Sequence, residues 1–215
     1  MTYIPEWKHY RVIHSKFPPK NLFDVKNACQ NLLLAELEGM TSDRLHRWRE
    51  FVSPADYRDG DGWGAVMASF CYVMPGRFNT AGFGAYYCAD SPHTAISEWS
   101  HHKGKVWRDF RFNDEASAVV RSYVGSFKKS LIDLRTETQV HEPDNYAFSQ
   151  AKGQLLKSQG EFGIIYQSVR HSGGVCAALL RPPATSPVRQ SAHYNVLWDG
   201  GDFISFAKLG KFESL

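Results

Sequence analysis

A glycine-punctuated loop that leads into a short apolar strand and then a helix constrains this chain more than any other feature. Gly76, Gly82 and Gly84 lie along the loop and permit turns and close backbone approaches that a side chain would block. The run 84–89 is short, apolar and aromatic, as expected for a buried strand between turn signals. Residues 90–92, Asp-Ser-Pro, then indicate a helix start, with an oxygen acceptor at the cap and proline in the first turn.

This strand and helix unit carries three kinds of side chain that suit nucleotide chemistry. Arg77 follows the first glycine, and an arginine fork matches phosphate oxygens in a bidentate way. Tyr86 or Tyr87 can offer an aromatic face to a cationic ring, and strand alternation lets only one of them point into a cleft. Glu98, on the predicted helix, can stabilise an oxocarbenium-like sugar. We therefore expect a nucleotide-binding cleft.

Four motifs in order along the chain resemble the RES domain family, which is named for arginine, glutamate and serine motifs and occurs in bacterial toxin–antitoxin pairs. The motifs are Tyr10-Arg11-Val12-Ile13, Gly76-Arg77-Phe78-Asn79, Tyr87 with Glu98 eleven positions later, and residues 163–170 followed by Gly173-Gly174. The resemblance covers most of the chain. It implies a fold similar to that of ADP-ribosyltransferases and a cleft that binds NAD and breaks the nicotinamide–ribose bond.

The resemblance also implies roles for individual residues. Arg11 and Arg77 match the family arginines that contact the NAD phosphates and ribose, Tyr87 the tyrosine beside nicotinamide, Glu98 the glutamate on the nicotinamide ribose, and Ser168 the serine of the family name. The catalytic set is thus Glu98, Arg77, Tyr87 and Ser168, and the NAD-binding set is Arg11, Arg77, Asn79, Tyr86 and Tyr87. The chain departs from the commonest pattern at Phe78, Gln167 and Cys176. We expect no metal ion.

Each of these residues also has a plain structural interpretation. Glu98 can be a solvated helix carboxylate, and Arg11 an exposed strand residue. Tyr86 and Tyr87 can be core aromatics. Ser168 can bond its own turn, since serine commonly does so.

The expected activity is NAD degradation with an acceptor that the residues leave open. Within the family the acceptor is water, inorganic phosphate or a target protein, which gives a glycohydrolase, a phosphorylase or an ADP-ribosyltransferase. Phosphorolysis is our first choice, and ADP-ribosyl transfer to a protein is the alternative. A non-catalytic binding module is a second class of hypothesis. The resemblance further implies a cognate antitoxin protein as partner.

Composition excludes several other classes. The 215 residues and 14% aromatic content suit one packed domain over residues 1–215. The net charge of +3 is mild and interleaved, so no direct nucleic-acid contact is expected. The four cysteines lack zinc or redox spacing, and no apolar stretch predicts a signal or membrane span. The cytoplasm is the simplest location.

The coarse pattern predicts an α+β fold with mixed short strands and flanking helices. We expect strands at 10–15, 105–112, 163–169 and 175–181, helices at 25–37 and 144–159, and a hairpin turn at 199–202. The pair His101-His102 is expected near the end of the Glu98 helix, which Lys103-Gly104 would close.

Overall fold

The computed structural model describes residues 1–16 and 48–210. The helix expected at 25–37 lies outside these residues. The α+β class is confirmed, because helices flank a mixed sheet of short strands. That residues 1–215 form one domain stays a prediction.

The described residues contain nine strands and four α-helices. The strands are β1 Thr2–Tyr3, β2 Lys8–His14, β3 Tyr86–Ala89, β4 Ala116–Ser126, β5 Leu131–Asp133, β6 Gly163–Gln167, β7 Val175–Leu179, β8 Arg189–Trp198 and β9 Phe203–Lys208. The helices are α1 Trp48–Phe51, α2 Gly64–Cys71, α3 Pro92–Asp109 and α4 Ala147–Ser158, and short 3-10 turns occupy Thr138–His141 and Pro182–Ala184.

All nine strands join one sheet in the order β1-β5-β6-β7-β3-β2-β4-β8-β9. The β5–β6 pair is parallel and the other neighbours are antiparallel. Pairing between β2 and β3 is confined to Tyr10 and Ala89, whereas β2 pairs with β4 along its whole length. The sheet therefore opens between β2 and β3.

Apolar side chains cover both faces of the sheet. One core lies beneath α3 and α4 and includes Ile96 and Leu156. The other lies beneath α2 and includes Met67 and Phe70. Because successive strand residues point to opposite faces, the loop and strand around Arg77 can supply side chains to either core.

Most local predictions from the sequence are confirmed. Helix α3 begins after Ser91, whose Oγ accepts a hydrogen bond from Thr94 N at 3.1 Å. Strands β6 and β7 form the expected antiparallel pair, and the turn at 199–202 joins β8 to β9. Helix α4 is followed by Gly160, whose φ of +81° is the left-handed conformation that closes a helix.

The expected end of the Glu98 helix is wrong. Helix α3 continues through Lys103-Gly104 to Asp109, so the strand expected at 105–112 does not form. The reason is tertiary packing, because Trp107 contacts Trp198 and Phe203 at ring separations of 5.2 and 4.9 Å. Packing of that half-buried indole outweighs the cost of about 1 kcal/mol for glycine inside a helix.

None of the helices within residues 1–16 and 48–210 is long and apolar enough to cross a membrane.

We predict that Gly153→Ala destabilises the fold by about 1–3 kcal/mol, because overpacking against backbone forces atoms to shift. A Cβ at Gly153 on α4 would lie 1.9 Å from the carbonyl oxygen of Phe78. Urea unfolding monitored by tryptophan fluorescence measures the effect. Gly82→Ala is the control, since its Cβ would meet nothing closer than 3.6 Å. Equal free energies of unfolding for Gly153→Ala and the wild type would contradict the prediction.

Candidate active site

Arg77 is held by a segment distant in sequence. Its Nη1 donates to the carbonyl oxygens of Val140 at 2.9 Å and Glu142 at 2.7 Å. The guanidinium carbon lies 4.6 Å from the centre of the Tyr146 ring. Arg77 is 7% exposed. Its Nε and Nη2 have no hydrogen-bond partner among the described residues, so part of the fork stays available to an anion.

A compact hydrogen-bonded unit fixes the loop that carries Arg77. The buried Asn79 side chain donates from Nδ2 to the carbonyl oxygens of Met74, Thr80 and Phe83 at 3.0, 3.1 and 2.8 Å. The Tyr87 hydroxyl donates to Asn79 Oδ1 at 2.8 Å and accepts from the backbone N–H of Phe78 at 2.8 Å. Gly76 is required beside it, since a Cβ there would lie 2.7 Å from the Tyr87 hydroxyl oxygen. Asn79 therefore organises the loop.

The start of α3 is tied to β7 through Asp90. One carboxylate oxygen accepts from Thr94 Oγ1 at 2.8 Å, and the other accepts from Val175 N at 2.9 Å. The Thr94 hydroxyl also hydrogen-bonds His171 Nδ1 at 2.9 Å. Glu98 lies one turn beyond Thr94 on the same side of the helix. This network orients Glu98 toward the turn between β6 and β7.

Ser168 joins that turn to Glu98. Its hydroxyl donates to Glu98 Oε1 at 2.6 Å and accepts from the backbone N–H groups of Arg170 and His171 at 3.2 and 3.0 Å. Gly174 allows the turn to approach α3, because a Cβ there would lie 2.7 Å from the Thr94 side chain. The predicted serine and glutamate thus meet directly. The hydrogen bond to Glu98 is charge-assisted, and two backbone amides hold the Ser168 hydroxyl in place. The position of the Glu98 carboxylate is therefore well defined.

The buried Tyr166 lies near several of the predicted residues. Burial is the main cause of its raised pKa, Cys176, Glu98 and Tyr87 raise it further, and Arg77 lowers it. These four groups therefore lie close enough to the phenol to shift its pKa. Cys176 Sγ is 3.8 Å from Glu98 Oε1, and burial raises the pKa of this thiol, so it remains protonated and can donate weakly to the carboxylate.

The turn Thr138–His141 connects the arginine side of the cleft with the serine side. Val140 provides one carbonyl oxygen to Arg77, and His141 Nε2 accepts a hydrogen bond from Gln167 N at 3.0 Å. Burial lowers the pKa of His141, which favours the neutral ring that this acceptor role requires. One short turn therefore contacts both Arg77 and the residue that precedes Ser168.

Two further cations meet one exposed acid beside α3. Arg170 Nη2 lies 3.7 Å from Asp144 Oδ1 and also donates to the carbonyl oxygen of Pro143. Lys105 Nζ, two turns after Glu98 on α3, lies 3.7 Å from the same carboxylate oxygen. The Asp144 side chain is 74% exposed, so these pairs are weak.

Arg11 and Tyr86 lie on the face of the sheet opposite to the Tyr87 side chain. Tyr86 belongs to the core beneath α2, and its buried hydroxyl has no hydrogen-bond partner among the described residues. The Arg11 guanidinium carbon lies 4.9 Å from the Tyr86 ring centre, and Nη1 donates to the carbonyl oxygen of Tyr87 at 2.8 Å. Arg11 occupies the opening between β2 and β3, where burial lowers its pKa. Tyr87 packs against the other core, with α3.

The structure therefore brings together Arg77, Tyr87, Glu98 and Ser168, with Asn79 as their support. Sequence reasoning missed Lys105, His141, Asp144, Tyr146 and Tyr166. A signal existed for Lys105, since it follows Glu98 by seven residues and so lies on the same helical face. Within residues 1–16 and 48–210, no group of three or more His, Cys, Asp or Glu side chains is arranged to hold a metal ion.

Comparison with known proteins agrees with the motifs. The family model of the RES domain matches residues 44–199, and the chain belongs to the RES domain family. The crystal structure of the M. tuberculosis MbcT-MbcA toxin-antitoxin complex is similar at 14% sequence identity, with a TM-score of 0.47, over 97% of this chain and 86% of that chain. No curated protein matches.

We predict that Tyr87→Phe lowers the free energy of unfolding by about 1–3 kcal/mol, because it leaves the Phe78 N–H and Asn79 Oδ1 unpaired. Tyr86→Phe is the matched control on the neighbouring residue. It removes a buried hydroxyl that has no partner in the part of the chain that the structure describes, so stability should stay equal or rise. Chemical denaturation measures both variants. A larger loss for Tyr86→Phe than for Tyr87→Phe would contradict this assignment.

Proposed function

We propose that this chain is a RES-family toxin that consumes NAD by cleaving the nicotinamide–ribose bond. The observation that carries the proposal is the 2.6 Å hydrogen bond between Ser168 Oγ and Glu98 Oε1, in a cleft that also contains Arg77 and Tyr87. An ordinary solvated helix carboxylate has no need of such a partner. A carboxylate held by a hydroxyl is preorganised to face developing positive charge.

The chemistry requires one carboxylate. When the bond between the ribose anomeric carbon and the pyridinium nitrogen breaks, its electron pair moves to the ring, and nicotinamide leaves neutral without a general acid. The ribose becomes oxocarbenium-like, and Glu98 stabilises it as an anion. An acceptor then adds to the anomeric carbon, and water would lose a proton in doing so. Arg77 would hold phosphate oxygens of NAD through its free N–H groups.

Inorganic phosphate is the acceptor we propose first. Lys105 and Arg170 both lie 3.7 Å from one carboxylate oxygen of Asp144, so two cations share one acid there. An incoming phosphate could replace Asp144 as the partner of these cations without new charge being buried. This arrangement supports phosphorolysis over attack by water, which needs no cation.

The remaining expectations form part of the same proposal. We infer a cognate antitoxin protein as partner and activity in the cytoplasm, both from membership of the RES family.

ADP-ribosyl transfer to a protein remains the alternative reaction of the same cleft. Mass-resolved analysis of the protein incubated with NAD separates the three. Phosphate-dependent nicotinamide release with ADP-ribose-1″-phosphate indicates a phosphorylase, phosphate-independent ADP-ribose a hydrolase, and ADP-ribosylated protein in added lysate a transferase.

We predict that Glu98→Gln binds NAD with nearly unchanged affinity but loses at least about a hundredfold in turnover, because the amide keeps the shape and removes the charge. Nicotinamide release measures turnover, and calorimetry measures binding. Asp109→Asn, at the exposed end of the same helix, is the control and should retain full activity. Full turnover by Glu98→Gln would remove Glu98 from the catalytic role.

We predict that Arg77→Ala weakens NAD binding about tenfold or more, because a charge-assisted hydrogen bond contributes about 1.5–3 kcal/mol. Arg77→Lys should not restore affinity, since lysine lacks the planar fork. Binding is measured in the Glu98→Gln background, and circular dichroism confirms folding. Arg189→Ala, at the exposed start of β8, is the control. An unchanged dissociation constant for Arg77→Ala, with a loss for Arg11→Ala, would assign the phosphate contact to Arg11.

A further inference from the structure

The hydroxyl of Thr94 has three hydrogen-bond partners at the start of α3. Thr94 is fully buried. Its Oγ1 lies 2.8 Å from Asp90 Oδ1, 2.8 Å from Ser91 Oγ and 2.9 Å from His171 Nδ1. A hydroxyl has one proton to donate and two lone pairs with which to accept. All three hydrogen-bonding positions of Thr94 are therefore occupied.

The direction of these three bonds follows from the donor and acceptor chemistry of the partners. A carboxylate can only accept, so the Thr94 proton is donated to Asp90. The Thr94 oxygen must then accept from both the Ser91 hydroxyl and His171 Nδ1. The hydrogen-bond network thus assigns a proton to Nδ1 of His171. The second ring nitrogen, Nε2, takes no part in this bond.

His171 also holds the turn that carries Ser168, and we call residues 168–174 the β6–β7 turn. The backbone N–H of His171 donates to Ser168 Oγ at 3.0 Å, and its carbonyl oxygen accepts from Gly174 N at 3.0 Å. Within the part of the chain that the structure describes, two side chains of this turn hydrogen-bond to helix α3, those of Ser168 and His171. His171 therefore joins the start of α3 to the serine that contacts Glu98.

The surroundings of the His171 ring favour this contact. A Cβ at Gly174 would lie 2.9 Å from His171 Nδ1 and 2.7 Å from the Thr94 side chain, so the glycine keeps the space of the hydrogen bond clear. The His93 ring packs against the His171 ring, with centres 4.2 Å apart and planes at 31°. The imidazole is thus constrained both by a hydrogen bond and by a stacked ring. A turn held by its main chain alone needs neither contact.

We propose that His171 is a positioning residue for Glu98. Its Nδ1–H attaches the β6–β7 turn to Thr94, and its backbone N–H keeps the Ser168 hydroxyl directed at the Glu98 carboxylate. This inference rests on the proposed function, in which Glu98 stabilises the ribose, and it adds a residue that the four sequence motifs do not contain. Because small displacements of a catalytic group slow the chemical step, His171 should affect turnover more than NAD affinity.

Two substitutions separate the hydrogen bond of His171 from its bulk. Leucine is also branched and apolar but has no donor. The amide nitrogen of asparagine lies the same number of bonds from the backbone as Nδ1, so it can donate to Thr94. His171→Leu should lower kcat for nicotinamide release about tenfold or more while KM changes less than about twofold, and His171→Asn should restore most of the loss. His193→Leu, on β8, is the matched control and should change neither constant.

Two NMR measurements do not depend on activity. Long-range proton–nitrogen correlations should show a proton on His171 Nδ1 in the wild type. The Arg170 backbone N–H donates to Ser168 Oγ at 3.2 Å. Hydrogen exchange of this amide should be about fivefold or more faster in His171→Leu than in the wild type, and slower again in His171→Asn.

The outcomes separate this inference from the proposed function. Lower turnover and faster exchange in His171→Leu, both restored in His171→Asn, support it. Unchanged turnover and exchange in His171→Leu, or a wild-type ring with a proton on Nε2 and none on Nδ1, overturn it. Equal losses in His171→Asn and His171→Leu also overturn it, because the ring itself would then act on the substrate. If the wild type does not consume NAD, the proposed function fails, and the exchange rates and the tautomer still decide whether His171 holds the turn.

Discussion

The geometry of the cleft depends on the buried side-chain amide of Asn79. Its two N–H donors serve three backbone carbonyl oxygens, and its oxygen accepts from the Tyr87 hydroxyl, so the loop is tied both to itself and to β3. A buried amide that lost any partner would be costly, which makes this arrangement of the loop unique. Arg77 inherits its position from that constraint. If the loop backbone were mobile, placing Arg77 would require ordering both the loop and the long side chain, at a larger cost in conformational entropy.

Ser168 shows that structural and chemical roles can coincide in one hydroxyl. The sequence left open whether this serine bonds its own turn or contributes to the site. The hydroxyl does the first through two backbone N–H groups and contacts Glu98 through its single proton. Because a hydroxyl can accept twice and donate once, every capacity is used. The β6–β7 turn determines the direction of the Ser168 hydroxyl proton, and that proton in turn fixes the position of the Glu98 carboxylate.

Local signals were sufficient for much of the fold and for part of the site. The cap at Ser91, the β6–β7 pair and the left-handed Gly160 are each determined by neighbours in sequence. The length of α3 was mispredicted because Gly104 resembles a stop signal, while the packing of Trp107 on distant strands keeps the helix intact. The sequence does not predict Tyr166 and His141 as site residues, for the same reason. Both residues lie in the site because elements distant in sequence come together when the sheet forms. The periodicity of the sequence does not indicate such contacts.

The β6–β7 turn is a shared wall, and this has a thermodynamic consequence. Ser168 at its start contacts Glu98, and Arg170 two residues later contacts Asp144 and lines a cavity between α3 and β9. Any occupant that shifts the turn from one side changes the free energy of occupying the other. Linkage requires this coupling to be equal in both directions. A ligand bound in that cavity would therefore act as an effector of the Glu98 site, and the sign of the effect would depend on whether the ligand stiffens or displaces the turn.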